Sequence, residues 1–301
     1  MRTAVNEIIC PGLPAGWING WLAAVGATVL DPRIQLRWTE EHLAALTCAA
    51  GVDPVVALVE SWPGQQLLAD IPIAEQWHGA GILRRQVSVE DFQDRARAVR
   101  THEYSWTLSS TMTDLCVDDK GRVMHAPFDP AGPGTIKWLH HRLLKVWAKA
   151  PVSEARILGS LTGHAGRVED NGLGFDQTRL GSLADNPRIM VDPIIEVLAF
   201  FGLALLPVRG RGIDERLHRQ ADLGPVQRGW RKLPDARYRC FCWPAWCQRL
   251  DRYGIDALLD AWVPGRKGKS SRLGIRAAWR SVGYERRASA DNTRAYGGER
   301  L

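Results

Sequence analysis

WINGWLAAVGATVLDPRIQLRW, residues 17–38, contains the helix and the strand on which the expected fold depends. The apolar residues of 17–30 predict a helix, and Asp31-Pro32 ends it because a residue that precedes proline disfavours the helical conformation. Residues 34–38 alternate apolar and polar side chains, which predicts a short strand. A helix that runs directly into a strand indicates a fold that mixes both elements.

Two Asp-Pro pairs predict further helices. Asp53-Pro54 and Asp192-Pro193 each combine a capping aspartate with a proline in the first helical turn. The second of these helices is expected to end near Gly202, and the apolar run 203–208 after it predicts a buried strand.

The remaining elements follow from periodicity and turn residues. They are a charged helix over 88–101, two strands over 115–117 and 122–124 about a tight turn, an amphipathic helix over 136–147 and a short helix that starts near Asp256. Helices and strands alternate without the regular rhythm of a parallel sheet with crossover helices. The sequence therefore predicts the α+β class: one mixed domain of interleaved helices and short strands over 1–263, then a weakly ordered basic C-terminal tail over 264–301.

Composition excludes several broad classes of protein. The 301 residues are 45% hydrophobic and 24% charged, which does not fit wholesale disorder, a collagen-like repeat or a small disulfide scaffold. The polar opening MRTAVNE does not resemble a secretory signal, and the longest uncharged apolar stretch, 197–208, is too short to span a bilayer. Six widely spread cysteines fit reduced thiols, so we expect a cytoplasmic protein without a membrane partner.

Positive charge is concentrated in the last third of the chain. Residues 209–301 contain 21 Lys and Arg against 10 Asp and Glu, whereas residues 1–208 contain 18 against 23. A local excess of cations attracts phosphate, so the distribution predicts a polyanionic partner or an acidic protein surface.

Arginine, lysine and tryptophan lie together in two parts of this basic third, 209–232 and 264–281. Guanidinium groups bind phosphate in a bidentate manner and indole faces stack on bases, a combination suited to single-stranded nucleic acid. Trp279 accompanies the second group. The predicted nucleic-acid-binding residues are Arg209, Arg211, Arg228, Trp230, Arg231, Lys232, Arg266, Lys267, Lys269, Arg272, Arg276 and Arg280.

Motifs for catalysis or metal binding are weak. Cys240, Cys242 and Cys247 are only three thiols at uneven spacing, and a half-buried strand explains the first two better than zinc does, although metal binding stays open. The segment 265–270, GRKGKS, resembles a phosphate-binding loop but has Val263 where that motif needs its first glycine. We therefore predict no catalytic residue, no metal and no cofactor.

Four segments carry a resemblance to a known family: CPGLPAGWINGWLAAVGATVL (10–30), GLGFDQTRLGSLAD (172–185), MVDPIIEVLAFFGLALLPVRGRG (190–212) and FCWPAWCQRLDRYGIDALLDAW (241–262). In this order they resemble the small accessory and Cas8-like proteins of type I CRISPR loci of subtype G, formerly subtype U. That group includes a family related to an extension of the helicase-nuclease of the same loci.

The resemblance implies a part in RNA-guided antiviral defence, where base pairing reads the sequence and protein subunits hold the backbone, fit one another or recruit the nuclease. It implies a non-catalytic subunit or accessory protein of a type I effector. Its partners would be other effector subunits, the helicase-nuclease, and guide RNA or target DNA.

Two alternatives of other classes stay open. One is a protein–protein adaptor that docks the effector nuclease through the basic tail. The other is a metal-dependent nuclease or hydrolase that uses His125, His140 or His141 with nearby carboxylates.

Overall fold

A computed structural model describes part of the chain with its side chains and a further part by its backbone alone. Side chains are described for residues 6–48, 51–64, 142–170, 172–173, 190–206, 233, 241–264, 270–281 and 298–301. The backbone alone is described for 86–88, 112–117, 122–125, 136–141, 208–209, 226–227, 230–232, 239–240, 267–269, 282–283 and 296–297.

The described helices are short and lie between strands. They are α1 (Ile18–Leu30), α2 (Pro54–Glu60), α3 (Ile136–Trp147), α4 (Glu154–Thr162), α5 (Pro193–Gly202), a 3₁₀ turn (Leu203–Leu205), α6 (Arg252–Ala261) and α7 (Lys267–Arg272).

The described strands form small sheets. They are β1 (Glu7–Pro14), β2 (Ile34–Trp38), β3 (Leu43–Cys48), β4 (Gln86–Ser88), β5 (Met112–Val117), β6 (Arg122–His125), β7 (Val168–Glu169), β8 (Met190–Val191), β9 (Val208–Arg209), β10 (Val226–Gln227), β11 (Trp230–Lys232), β12 (Arg239–Trp246), β13 (Ile275–Gly283) and β14 (Tyr296–Arg300).

A pair of packed helices forms the centre of the core. All residues of α1 and all residues of α5 are buried, and these two helices make the most extensive contact between any two described elements. A Cβ atom at Gly26 would lie 1.7 Å from the carbonyl oxygen of Leu198, and one at Gly202 would lie 2.2 Å from that of Leu22. Glycine at both positions therefore lets the two backbones approach more closely than any side chain would allow.

Two antiparallel sheets pack around this helix pair. The N-terminal sheet has the order β1-β3-β2 and the C-terminal sheet has the order β11-β12-β13-β14. A backbone bridge between Leu36 and Leu250 connects β2 with the segment that follows β12.

Hydrogen bonds from indole N–H groups connect segments that are far apart in the sequence. Trp21 donates to the carbonyl oxygen of Pro244 at 2.8 Å, and Trp243 donates to that of Ala15 at 2.7 Å. Each of these indoles is fully buried, so the hydrogen bond satisfies a donor that would otherwise cost free energy. The N-terminal and C-terminal segments thus share one core, and the protein is a single mixed α+β domain, as the sequence predicts.

Most of the predicted elements that fall on described residues are confirmed. They include the helix and strand of 17–38, the helices after the two Asp-Pro pairs, the strand pair around 118–121 and the helix over 136–147. The late helix begins at Arg252, four residues before the predicted start. The predicted helix over 88–101 lies outside the described residues except at its first position, which ends β4.

The strand predicted over 203–208 is wrong for most of its length. Leu203–Leu205 continue α5 as a 3₁₀ turn, and only Val208 belongs to a strand. Leu203 to Leu206 are all buried on the helical continuation, and an apolar run alone does not distinguish a buried strand from a buried helical turn.

Two described stretches of the segment expected to form a weakly ordered tail, Ile275–Gly283 and Tyr296–Arg300, are instead strands of the C-terminal sheet. β13 pairs with β12 on one side and with β14 on the other, and Trp279 in its middle is only 7% exposed. The predicted boundary at residue 263 therefore precedes an interior strand of this sheet. No helix in the described parts of the chain has the length and apolarity needed to cross a membrane.

Candidate nucleic-acid interface

The C-terminal sheet arranges two of the predicted arginine positions along one face and a third close to them on the same strand. Arg231 pairs with Cys240, and Arg280 pairs with Cys242. Paired residues share a face of an antiparallel sheet and successive residues alternate, so Arg231 and Arg280 share one face, the arginine face.

Arg276 lies at a register shift, where Ala245 pairs with Ala277 and Trp246 with Ile275, so Arg276 has no partner on β12, and its side chain is exposed. The opposite face carries Trp243 and Trp279 and packs on the core, whereas on the arginine face Cys242 of β12 is only 1% exposed.

Arg276 and Arg280 each meet one carboxylate. Nη1 of Arg276 lies 3.5 Å from Oε1 of Glu40, and Nε of Arg280 donates to Oε2 of Glu299 at 2.9 Å. The carboxylate side chains are 85% and 54% exposed, respectively. The Arg276–Glu40 pair is exposed at both ends, and exposed pairs contribute about 0–1 kcal/mol, so a phosphate oxygen can replace Glu40 at small cost. The side chain of Arg280 is only 18% exposed, so its pair with Glu299 is more protected from solvent.

Helix α7 adds basic positions directly before β13. It contains Lys267, Lys269 and Arg272, and the side chain of Arg272 is exposed. Since α7 contacts β13, these positions adjoin the strand that carries Arg276 and Arg280.

The other predicted basic residues are placed differently. Arg209 belongs to β9, which pairs with β10 in a separate two-stranded sheet, and Lys232 pairs with Arg239 on the core side of the C-terminal sheet. The remaining three, Arg211, Arg228 and Arg266, lie outside the described residues.

The tryptophans predicted among the basic residues occupy the other face. Trp230 pairs with Phe241, a fully buried position, and Trp279 is itself buried. Trp279 is only 7% exposed, so its ring packs inside the domain and does not present a face to a base.

His42 adjoins this region, and no sequence signal identifies it. It lies between β2 and β3 with φ of 63°, a left-handed conformation that is uncommon for a residue other than glycine. Its ring meets that of Trp279 edge to face at a centroid distance of 5.3 Å, and its Nδ1 is buried without a hydrogen-bond partner. A strained backbone and an unsatisfied ring nitrogen at one residue are features that accompany functional sites.

Nearby arginines make the surroundings of His42 electropositive. Burial is the largest cause that lowers the pKa of His42, and the charges of Arg300 and Arg276 lower it further, against the opposing charge of Glu41. Arg300 is exposed and pairs in the sheet with Trp279. Two arginines and a histidine ring thus lie around one edge of the C-terminal sheet, where a phosphate would find three possible hydrogen-bond donors.

A buried carboxylate lies between the two central helices, away from the arginines. Glu196 on α5 is 2% exposed; it accepts a hydrogen bond from Nδ2 of Asn19 on α1 and another from the backbone N–H of Leu173 at 2.6 Å. A Cβ atom at Gly172 would lie 2.5 Å from Oε2 of Glu196, so glycine is required for this approach. The arrangement fixes the start of the segment after Asp170 and contains no group that would bind an anion.

Asp170 is held by Lys145 near the end of α3 and by Lys149 in the turn that follows it. Nζ of Lys149 lies 2.6 Å from its Oδ2, and Lys145 lies 3.4 Å from the same atom. Burial alone would raise the pKa of Asp170, but the hydrogen bonds from Lys149 and the N–H of Gly172, with the charge of Lys145, hold it below its ordinary value. Asp170 is therefore ionised and paired, which suits a structural role.

Metal binding gains no support from the described residues, among which no three His, Cys, Asp or Glu side chains come together as a metal site would require. Cys242 lies on β12 as predicted, but the expectation of a half-buried strand is wrong, because Phe241 on one face and Cys242 on the other are both buried. The side chains of His125, His140 and His141 lie outside the described residues, so the hydrolase alternative stays a prediction.

Comparison with known proteins does not assign the chain to a family. No protein-family model matches the chain, and no curated protein matches it significantly. The resemblance to proteins of type I CRISPR loci therefore stays a hypothesis.

Proposed function

We propose that the protein is a non-catalytic subunit or accessory protein of a type I CRISPR effector that holds the phosphate backbone of nucleic acid on the arginine face of its C-terminal sheet. The single observation that carries the proposal is the grouping of Arg231 and Arg280 on one face of the C-terminal sheet with the exposed Arg272 and Arg276 at the start of the same region.

The chemistry of this face suits a backbone better than a single small anion. Arg276 and Arg280 lie four residues apart on a strand, and a strand rises about 3.3 Å per residue, so their Cα atoms are about 13 Å apart. Each guanidinium group therefore meets a different phosphate of an extended chain. Such contacts give affinity without reading the base sequence, which fits a complex where base pairing supplies the specificity.

The test measures affinity against salt for labelled single-stranded and duplex DNA and RNA. The variant Arg272→Glu/Arg276→Glu is compared with the unaltered chain and with Arg167→Glu, a control that reverses an exposed arginine between α4 and β7. We expect the double variant to bind more weakly and to lower the slope of log K against log salt by about 2, or about 1 per lost phosphate contact. The control should retain both affinity and slope.

The outcome that contradicts the proposal is equal affinity and equal slope for all three proteins. Circular dichroism and thermal unfolding must show that the double variant is folded, which we expect because both substituted side chains are at least partly exposed.

A second function, a protein–protein adaptor, is favoured by the carboxylates that already bind this face. Glu40 and Glu299 pair with Arg276 and Arg280, so acidic side chains of a partner subunit could occupy the same guanidinium groups. If no nucleic acid binds at moderate salt, but the double variant no longer co-purifies with the other effector subunits, the adaptor is the function of this face.

A further inference from the structure

A cavity of about 340 Å³ opens where the 3₁₀ turn after α5 meets the start of α6. It is lined by Ala204, Leu205, Arg252, Tyr253 and Asp256. Its volume falls within the range of small-molecule sites, about 300–1,000 Å³. Neither the arginine face nor the segment around His42 contributes to its lining.

The cavity combines an apolar floor with an exposed aromatic wall. Ala204 and Leu205 are 4% and 7% exposed, so the atoms that they present form a dry surface. Tyr253 is 66% exposed, the highest value among the large hydrophobic side chains that the structure describes. An aromatic ring that is left this open next to an apolar floor has a face available for stacking.

Arg252 holds the tyrosine ring in place. Its guanidinium carbon lies 4.7 Å from the ring centroid, and its Nη2 donates to the hydroxyl of Tyr253 at 2.6 Å. The guanidinium group lies over one face of the ring, and this contact limits the rotation of the ring before a ligand arrives. A ring whose orientation is already restricted loses less conformational entropy when a ligand binds.

Asp256 supplies a directional acceptor at the same cavity. It follows Tyr253 by three residues on α6, which places both on neighbouring parts of the helix surface. A carboxylate has about four lone-pair sites and no donor, so it accepts N–H groups and repels phosphate. This carboxylate therefore favours a flat group that bears N–H donors, while Arg252 contributes a positive charge to the same lining.

We infer that this cavity binds one unstacked nucleobase, with the base on Tyr253 and an exocyclic amine donating to Asp256. The inference rests on the proposed function, because a strand held by its phosphates on the arginine face is what would bring unpaired bases to the protein. Adenine, cytosine and guanine carry the required amine, whereas uracil and thymine do not.

The test uses the nucleoside of 2-aminopurine, a fluorescent base with an exocyclic amine whose emission is quenched when it stacks. Because this probe carries no phosphate, it reports on the cavity and not on the arginine face. Titrations compare the full chain with Tyr253→Phe, which keeps the ring, and Tyr253→Ala, which removes it. We expect saturable quenching with the full chain and Tyr253→Phe, and affinity lowered by about tenfold or more in Tyr253→Ala.

Saturable quenching in the full chain that Tyr253→Ala weakens supports the base site. No saturable quenching, or equal quenching with Tyr253→Ala, overturns it. Tyr253 is mostly exposed, so both variants should retain the unfolding temperature of the full chain.

The Arg272→Glu/Arg276→Glu protein separates the base site from the proposed function. If this protein loses affinity for polynucleotides but still quenches the nucleoside, the arginines and the base site act independently. If the nucleoside binds and no polynucleotide does, the proposed function fails while the base site stands.

Discussion

The rings of His42 and Trp279 meet edge to face, with their centroids 5.3 Å apart and their planes at 81°. This contact joins the turn between β2 and β3 to the middle of β13. It buries one side of an imidazole whose neighbours include two arginines, so the protonation of His42 bears on both the stability of the domain and the binding of anions at this edge.

His42→Asn should reduce the loss of stability in mild acid. The pKa of His42 in the folded protein lies below its ordinary value of 6.5, so the unfolded chain takes up a proton first as the pH falls. The full chain therefore loses stability as the pH falls from above 6.5 toward the folded-state pKa, and asparagine removes this contribution. Asparagine also tolerates the left-handed backbone. Urea unfolding at about pH 7.5 and about pH 5.5 measures the difference.

Parallel pH dependence in the two proteins would contradict the assigned environment of His42. The seven other histidines are common to both chains, so their contributions cancel in the comparison.

Binding of nucleic acid should tighten as the pH falls, provided that the phosphate lies at this edge. A phosphate near Arg276 and Arg300 would stabilise the protonated imidazole of His42, and the charge of Glu41 already favours that form. Binding then takes up a proton, and affinity rises from about pH 7.5 to about pH 5.5. The same titration with His42→Asn should show a smaller rise, and an equal rise would place the phosphate elsewhere.

Gly26→Ala and Gly202→Ala should each destabilise the protein. The added Cβ would lie 1.7 Å or 2.2 Å from a carbonyl oxygen of the facing helix, so α1 and α5 must move apart. Overpacking of this kind costs about 1–3 kcal/mol or more. Gly64→Ala is the matched control, because nothing lies within 4 Å of its added Cβ. Thermal and urea unfolding of the three variants check the order, and a loss at Gly64 equal to that at Gly26 would refute the packing argument.

Glu196→Leu should cost more stability than Glu196→Gln. Leucine leaves the amide of Asn19 and the N–H of Leu173 without this acceptor, at about 1–3 kcal/mol for each buried group. Glutamine retains one carbonyl oxygen and can satisfy one of them.

A double-mutant cycle with Asn19→Leu tests the pairing directly. We expect a coupling free energy between positions 19 and 196 of about 0.5–3 kcal/mol. Strictly additive losses would mean that the two side chains do not depend on each other.

Removal of residues 264–301 should abolish cooperative unfolding. The deletion takes away β13 and β14, leaves one edge of β12 unpaired and uncovers the core side of Trp243, which pairs with Trp279. Circular dichroism and urea unfolding of the truncated chain provide the measurement. A truncated chain that still unfolds cooperatively at the original urea concentration would support the prediction that residues 264–301 form a separate tail.

The sequence predicts a structural feature correctly where that feature depends only on contacts between neighbouring residues. Asp53 and Asp192 accept hydrogen bonds from Val55 and Ile194 at 2.7 Å and 3.0 Å, which are the caps that the Asp-Pro pairs predict. These contacts span two residues, so the sequence contains all the information they need.

Features that depend on distant segments could not be predicted in this way. The burial of Trp279 requires its contact with His42, which is 237 positions earlier in the numbering of the chain. Glu196 is buried because Asn19 and Leu173 satisfy it, and only its presence in an otherwise apolar helix hinted at this. The left-handed backbone conformation of His42 could not be predicted from the sequence, because histidine adopts this conformation only rarely.

The indole hydrogen bonds described above can form only after the C-terminal third of the chain has been synthesised. Trp243 and Ala15 are 228 residues apart, and at about 5–20 residues per second the ribosome needs roughly 10 to 50 seconds to make the segment between them. Throughout that time α1, which is buried at every position in the finished protein, has emerged without β12 and β13 to cover it. Exposed apolar surface of this kind promotes aggregation, so fragments that end before β12 should aggregate rather than fold.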